Sequence, residues 1–286
     1  MKRIILNADD FGLAPSINAA VIEASRNGYL TSTSLCVMGP VAEEAAAAVG
    51  ELPRLSVGLH LALVDETPAA PVSEIPSLIN SEGRLPRSGL EFTRRWSVGQ
   101  ISARDVAREV AAQWTRAERL GVRPTHFDSH DHIHVLPGVL EICLREASAR
   151  GVHRLRVPAE TVVDGVAGVR RRFFGLGLRV LSQRAARVAT QHGFAFPDAF
   201  SGFRGAGAID TDSLVARILA APAGCTEIAL HPAAEDLPRT DMCDWGYRWQ
   251  DEYRALLDPR VGEALAASGA EIGSFRDVRR TFQAAA

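Results

Sequence analysis

The chain has 286 residues, of which 47% are hydrophobic, and its formal net charge is −2. This share of hydrophobic residues is enough for a large core, and a net charge close to zero gives no reason to expect binding to nucleic acid. The first apolar run is too short for a signal peptide and no stretch approaches membrane-spanning length, so we expect a cytoplasmic protein. The cysteines are scattered without metal or redox spacing and are expected to be reduced thiols: Cys36, Cys143, Cys225 and Cys243.

Short apolar runs alternate with longer helical patterns along most of the chain. Strands are predicted at Ile4–Leu6, Ser34–Met38, Leu55–Leu63, Pro124–Ser129, His153–Val157, Thr226–Leu230 and Glu271–Ser274. Helices are predicted at Ile17–Asn27, Val41–Val49, Ala103–Leu120 and Val139–Ala149. Such alternation indicates an α/β fold with a parallel sheet and outer helices, and seven or eight units favour a single-domain (β/α) barrel.

Two segments interrupt this alternation within a single domain of residues 1–286. Residues 64–100 are rich in Pro, Ser and Gly and are predicted to form a long loop excursion. Residues 164–196 form a basic helical insertion, with no Asp or Glu from Gly165 to Phe196. This insertion is either a solvated barrel helix or a basic amphipathic lid that rests on an anionic membrane.

A cluster of histidines follows the fourth predicted strand. His126, Asp128, His130, His132 and His134 alternate along the chain, so an extended strand would place all five on one face. Imidazoles and a carboxylate on one face are the donors that a divalent metal uses. The sequence therefore predicts a metal site here, with a solvated histidine-rich loop as the alternative.

Further polar residues lie at the ends of other predicted strands. Asp9 and Asp10 end the first strand, His60 lies near the end of the third, and Arg156 and His231 end two later ones. Each alone has a structural explanation, but reactive groups in parallel folds gather at the carboxyl ends of strands. One carboxylate and two imidazoles can bind a divalent ion, a second carboxylate can accept a proton, and a remote histidine can donate one.

Taken together, these motifs resemble the YdjC-like carbohydrate deacetylases, a family that includes chito-oligosaccharide deacetylases and deacetylases of hopanoid biosynthesis. The resemblance spans roughly residues 1–160 and 225–276 and rests on these segments: Ala8-Asp9-Asp10-Phe11-Gly12, Gly58-Leu59-His60, residues 125–134, Leu155-Arg156-Val157-Pro158 and Leu230-His231-Pro232. It implies a distorted (β/α) barrel and removal of acetyl groups from N-acetylated amino sugars with a divalent metal.

The resemblance also implies roles for the individual residues that match the family's motifs. The implied metal ligands are Asp10, His60 and His130, with Asp9 as general base, His231 as general acid and Arg156 orienting Asp9. Residues of the motif without a defined role are expected to bind substrate: His126, Asp128 and His134. Trp245 and Tyr247 belong to a late aromatic cluster that either packs on the barrel or stacks on a sugar ring.

We therefore predict a metal-dependent enzyme that N-deacetylates a GlcNAc-containing sugar or glycolipid, with one Zn²⁺ or Mg²⁺ ion as cofactor. The alternatives are a metal phosphoesterase on the same barrel, which would often use a second metal, and a non-catalytic metal-dependent sugar-binding protein. The expected partners are a small N-acetylated amino sugar or a GlcNAc-bearing lipid and no nucleic acid. A homodimer and peripheral contact of 164–196 with the inner membrane are left open.

Overall fold

The seven strands of the described chain form one parallel sheet with β1 at its centre. The computed structural model describes residues 2–160, 169–235, 237 and 245–279, and only the backbone of 169–175. The strands are β1 Lys2–Phe11, β2 Ser32–Leu35, β3 Ser56–Leu61, β4 Phe127–Ser129, β5 Ala199–Ser201, β6 Gly224–Leu230 and β7 Ala270–Gly273. Their order is β4-β3-β2-β1-β6-β5, and β7 pairs with the first half of β1.

Isolated bridges join the two edge strands of this sheet. Leu155 pairs with Phe127 of β4, Arg154 pairs with Ala195, and Glu160 pairs with Phe200 of β5. Residues 154–160 therefore connect β4 to β5 and complete a ring of parallel neighbours. The predicted distorted (β/α) barrel is confirmed, with its closing side made of short bridges in place of a regular strand.

Helices pack around this ring, because apolar residues recur on one side of each and meet the buried strands. They are α1 Pro15–Asn27, α2 Ala42–Val49, α3 Gly89–Ser97, α4 Ala103–Arg119, α5 Val139–Ser148, α6 Val169–Gln191, α7 Thr211–Ala220, α8 Trp249–Leu257 and α9 Pro259–Ala267. Short 3₁₀ segments lie at Val72–Glu74, His130–Val135 and Phe275–Asp277. Local sequence signals mark where two of these helices begin. Pro15 is the first residue of α1, and the Ser102 side chain caps α4 by accepting a hydrogen bond from the Asp105 N–H.

Several predicted elements are confirmed in place but differ in length, and one is wrong. The strand predicted at Ile4–Leu6 extends over the whole of β1, whereas the one predicted at Pro124–Ser129 is shortened to β4. His153–Val157 forms only isolated bridges, so the prediction of a regular fifth strand there is wrong. Three buried residues, Ala199–Ser201, supply the strand β5 instead, and a segment this short carries no periodicity to detect.

The two interrupting segments take different forms. Residues 64–100 contain a 3₁₀ turn and α3, held against α4 by buried Glu109, which accepts hydrogen bonds from the Ala69 and Ala70 N–H groups. The insertion predicted at 164–196 contains α6, whereas its first residues, 164–168, lie outside the described part of the chain. In the part of the chain that the structure describes, no helix combines the length and the apolar character that crossing a membrane requires.

Candidate metal centre

The paired aspartates lie where β1 stops being regular. Pairing with β2 shifts register between Ala8 and Phe11, and Asp10 has a φ of 64°. A positive φ is uncommon for a residue other than glycine and is maintained only where the surrounding structure enforces it. This break in the extended backbone allows both Asp9 and Asp10 to reach the same centre, which a regular strand would prevent.

Asp10, His60 and His130 meet at the carboxyl end of the sheet. The Asp10 Oδ1 atom lies 3.4 Å from His60 Nε2 and 3.3 Å from His130 Nδ1. One ligand atom from each residue lies within 4.8 Å of the other two. His60 Nε2 and the second Asp10 oxygen, Oδ2, are buried without a hydrogen-bond partner. Two imidazoles and a carboxylate with unpaired buried atoms fit a divalent ion, and the donor set suits zinc.

Neighbouring groups fix the ligand atoms of this cluster. His60 Nδ1 lies 2.8 Å from Asp128 Oδ1, which leaves Nε2 directed toward Asp10. Burial alone would lower the pKa of His60, but the neighbouring carboxylates of Asp128, Asp9 and Asp10 together raise it. Burial also opposes charge on His130, whereas its hydrogen bond to Asp10 raises the pKa of His130 to about 10. The centre therefore strongly favours positive charge beside Asp10, as expected where a cation binds.

Arg156 lies at the middle of a buried group of carboxylates. Its guanidinium donates two hydrogen bonds of 2.7 Å to Asp9, lies 3.0 Å from Asp128 and contacts Glu227 at 2.7 Å. Burial raises the pKa of Glu227 to about 7, with Arg156 acting in the opposite direction. Burial would also raise the pKa of Asp128, but Arg156 reverses this and holds it well below its usual range. Arg156 thus fixes the orientation of Asp9.

A second group of possible ligands consists of Asp9, His60 and Asp128. The Arg156 guanidinium already lies between the two carboxylates of this group, and His60 faces Asp128 with Nδ1, the nitrogen not directed at Asp10. A bound cation would have to compete with a buried guanidinium at hydrogen-bond distance. The geometry therefore favours a single ion at the Asp10 cluster.

His231 follows β6 and faces Asp9 Oδ2, the same oxygen to which Arg156 Nη1 donates. Its Nε2 atom lies 3.9 Å from Asp9 Oδ2, and its Nδ1 atom lies 3.9 Å from Glu252 Oε2. Glu252 is fully buried and accepts hydrogen bonds from the backbone N–H groups of His231 and Ile209. Burial raises the pKa of Glu252, whereas His231 lowers it. The imidazole is therefore placed between the carboxyl groups of Asp9 and Glu252.

The predicted common face of His126, Asp128, His130, His132 and His134 is wrong beyond Ser129. The strand β4 ends at that residue, and the chain enters a 3₁₀ segment in which Asp131 and His132 have φ values of 52° and 54°. This turn separates the later histidines from His130. A histidine-rich stretch predicts an alternating face only while the backbone remains extended.

The substrate-binding roles predicted for His126 and His134 stay predictions, and both side chains are fully buried. The His126 ring stacks on Phe275 at a centroid distance of 3.6 Å and lies so close to Gly58 that a Cβ there would come within 2.4 Å. His134 contacts Ser129 Oγ at 2.7 Å and the Arg156 carbonyl at 3.0 Å. These contacts stabilise the walls of the centre.

The late aromatic cluster contacts the histidines of the centre directly. The Trp245 ring lies 5.1 Å from the His130 ring, and the Tyr247 ring lies 5.0 Å from the His231 ring. Both side chains are partly exposed, whereas Trp249 is buried in the core. Trp245 and Tyr247 therefore lie at a partly exposed edge of the centre, and their predicted role in binding substrate stays a prediction.

A family described as YdjC-like protein matches residues 3–267. The chain belongs to the YdjC-like family. A carbohydrate deacetylase from Geobacillus stearothermophilus is 32% identical over 276 residues, covering 96% of each chain. A chitooligosaccharide deacetylase from Salmonella typhimurium is 32% identical and covers 97% of this chain and 100% of the relative.

A solved structure supports the same architecture for this YdjC-like chain. A protein from Enterococcus faecalis V583, described as a cellobiose-phosphate cleavage protein, superimposes with a TM-score of 0.76. It is 23% identical and covers 96% of this chain and 97% of its own. At this identity the likeness shows the fold alone.

Two acidic residues of this YdjC-like centre were missed in the sequence. Glu227 lies within the apolar strand β6, and an acidic residue inside a buried strand is a signal that could have identified it. Glu252 lies in α8 beside other polar residues, and nothing in its local pattern distinguishes it. Both reach the centre only through the tertiary arrangement.

Proposed function

We propose that this protein is a divalent-metal-dependent carbohydrate deacetylase that removes the acetyl group from an N-acetylated amino sugar. The observation that carries the proposal is the Asp10–His60–His130 cluster with Asp9 and His231 beside it. Family membership and the names of the relatives support the reaction class. A protein that only binds sugar would need neither the oriented carboxylate of Asp9 nor the additional histidine, His231, beside the cluster.

In this proposal Asp10, His60 and His130 hold the ion. When bound, it would polarise the acetyl carbonyl and make the attacking water more acidic. Asp9 accepts the proton of that water, and Arg156 and Asn7, which donates a 2.8 Å hydrogen bond to Asp9 Oδ1, keep its carboxylate in position. The rigid support of Asp9 is what a general base needs, because proton transfer requires a fixed geometry.

His231 donates a proton to the departing amine. The carboxyl groups of Asp9 and Glu252 lie 3.9 Å from its Nε2 and Nδ1 atoms, respectively, and hold the ring beside the proposed general base. The proton that Asp9 takes from water and the one that His231 gives to nitrogen belong to opposite steps of amide hydrolysis. The centre therefore provides a separate base and acid, as the reaction requires.

An apolar cavity of about 510 Å³, lined by Asp131 and His132, which follow His130 in the chain, supports a finer proposal about the substrate. Its walls are mainly apolar and come from α3, the 3₁₀ segment and the residue after it, α6 and the loop after β5: Leu90, Ile133, Leu136, Leu178, Leu181 and Phe203. We propose that the apolar part of a GlcNAc-bearing lipid lies there. Leu178→Glu should then raise KM for the lipid substrate and leave turnover of soluble sugars unchanged, whereas Leu219→Glu on α7 should affect neither.

The proposal is tested by mass spectrometry of products from the purified, zinc-loaded enzyme. N-acetylated chitobiose and a GlcNAc-bearing hopanoid are supplied separately, and the expected product lacks one acetyl group. Elemental analysis should give one ion per chain. Absence of deacetylation on both substrates, with the metal in place, would refute the function; two ions per chain would favour a phosphoesterase.

Membrane contact by residues 164–196 is a separate part of this proposal. On the described side chains of α6, Leu176 and Val180 are 60% and 62% exposed, and Arg179 is exposed beside them. Several basic residues near an anionic surface give salt-sensitive binding. Co-sedimentation with anionic vesicles at low salt, lost when Arg170, Arg171 and Arg172 become Ser, is the expected result; no binding at any salt refutes it.

A further inference from the structure

Glu66 is a buried acid beside the centre to which the reaction above gives no role. Its side chain is 7% exposed, and Oε1 has no hydrogen-bond partner. Burial raises the pKa of Glu66 to about 7. A buried polar atom without a partner destabilises a fold, and function is one reason for a protein to retain it.

The backbone around Glu66 is held in a defined conformation. Asp65 has a φ of 61°, in the left-handed region that residues other than glycine seldom adopt. Two hydrogen bonds fix this turn: the Asp65 N–H donates to the Pro86 carbonyl at 2.8 Å, and the Leu85 N–H donates to the Glu66 carbonyl at 3.1 Å. Glu66 is therefore positioned by the long excursion of residues 64–100 and is not a loose surface acid.

The surroundings of Glu66 connect it to the centre. It lines a small cavity together with Asp10, His130 and Trp245, and the other walls are mostly apolar. Asp10 and His130 are two of the three proposed ligands, and Trp245 is the aromatic ring beside His130. A group that enters this cavity therefore meets both the ion site and the Glu66 carboxyl.

We propose that Glu66 binds the amino sugar by accepting a hydrogen bond from a ring hydroxyl next to the acetamido group. This inference rests on the proposed deacetylase function and names a specificity residue for it. The ionised carboxylate only accepts hydrogen bonds, so in that form it pairs with a hydroxyl and not with the acetyl carbonyl. A site that hydrogen-bonds a substrate hydroxyl discriminates strongly against compounds that lack it, because its own buried group would then stay unpaired.

The test compares Glu66→Met, which has no comparable acceptor, with Glu66→Gln, which keeps an amide oxygen. We expect kcat/KM for N-acetylated chitobiose to fall about 10- to 100-fold in Glu66→Met and by less in Glu66→Gln. The rate of hydrolysis of 4-nitrophenyl acetate, which carries an acetyl group but no hydroxyl, should stay within about twofold of wild type, because only the sugar makes the contact that is removed. Zinc content should be unchanged, and Tm should be equal or higher.

Glu109→Met is the matched control, because Glu109 is a buried acid that anchors the same excursion through Ala69 and Ala70. It should lower Tm without a selective loss on the sugar. Full kcat/KM in Glu66→Met would overturn the inference, and so would an equal loss on both substrates or a loss of zinc. If wild-type enzyme hydrolyses the ester but not the sugar, the proposed function itself fails and the assignment falls with it.

Discussion

Replacing Arg156 by Met should be among the most damaging single changes in this protein. The guanidinium is fully buried and contacts three buried carboxylates, those of Asp9, Asp128 and Glu227, at 2.7–3.0 Å. Removing one partner of a buried ion pair costs about 3–5 kcal/mol, because the remaining charge stays buried and uncompensated. Here three carboxylates lose their common partner, so we expect a loss of at least about 3–5 kcal/mol.

This loss is large against the stability of an ordinary domain, which is about 5–15 kcal/mol. A milder variant, Arg156→Lys, should therefore be measured beside Arg156→Met. Lysine keeps the positive charge but cannot donate the paired hydrogen bonds to Asp9. We expect Arg156→Lys to fold with an intermediate loss and to turn over slowly. Arg154→Met is the control two residues away, where the lost contact is one hydrogen bond from Nε to the Val278 carbonyl. It should cost about 0.5–1.5 kcal/mol.

The stability of Arg156→Met should also depend on pH in a predictable direction. Arg156 holds the pKa of Asp128 below its unfolded value of about 3.9. That pairing stabilises wild type at pH values above the unfolded pKa and is lost only as the pH falls through the lower folded pKa. Without Arg156, burial raises the pKa of Glu227 further and is less opposed at Asp128. Protonation of these groups then relieves the variant, so its stability difference from wild type narrows from pH 8 to pH 5.

Urea unfolding followed by circular dichroism at pH 8 and pH 5 measures both effects, with zinc content and deacetylation recorded on the same samples. A free energy of unfolding for Arg156→Met that lies within about 1 kcal/mol of the wild-type value at pH 8 would refute the reasoning, since only exposed ion pairs contribute so little. A difference that grows at pH 5 would mean that the carboxylates are not the groups that Arg156 stabilises.

Four further substitutions, with His153→Ala as a control, test the division of roles. His130→Ala should lose bound zinc by elemental analysis, whereas His153→Ala should keep it; full zinc in His130→Ala would contradict the ligand set. Asp9→Asn should keep zinc and lower kcat by about 10²–10⁴-fold, and loss of the metal would reassign Asp9 as a ligand. His231→Ala should lower kcat with zinc retained, and loss of zinc would contradict its placement outside the ligand set. Glu252→Gln, which keeps an acceptor for the His231 backbone N–H but removes the carboxyl group 3.9 Å from Nδ1, should lower kcat by less than His231→Ala; an equal or larger loss would contradict a supporting role.

The sequence was sufficient for the fold class and for most of the centre. Alternating apolar and helical segments predict parallel strands, and polar residues at strand ends must meet at one edge of such a sheet. Asp10, His60 and His130 are brought together in this way, although 120 positions separate Asp10 from His130 in the numbering. Their proximity follows because parallel strands end at one edge of the sheet, and the alternation of strand and helix patterns predicts such parallel strands.

The tertiary structure decided what periodicity could not. The left-handed turn at Asp131 and His132 removes the later histidines from the predicted face, because alternation holds only in extended backbone. Glu252 and Glu66 approach the centre from α8 and from the long excursion, whose paths no local pattern encodes. Sequence pattern determines which residues share an element, whereas the contacts between distant elements exist only once the barrel has closed and buried their charges together.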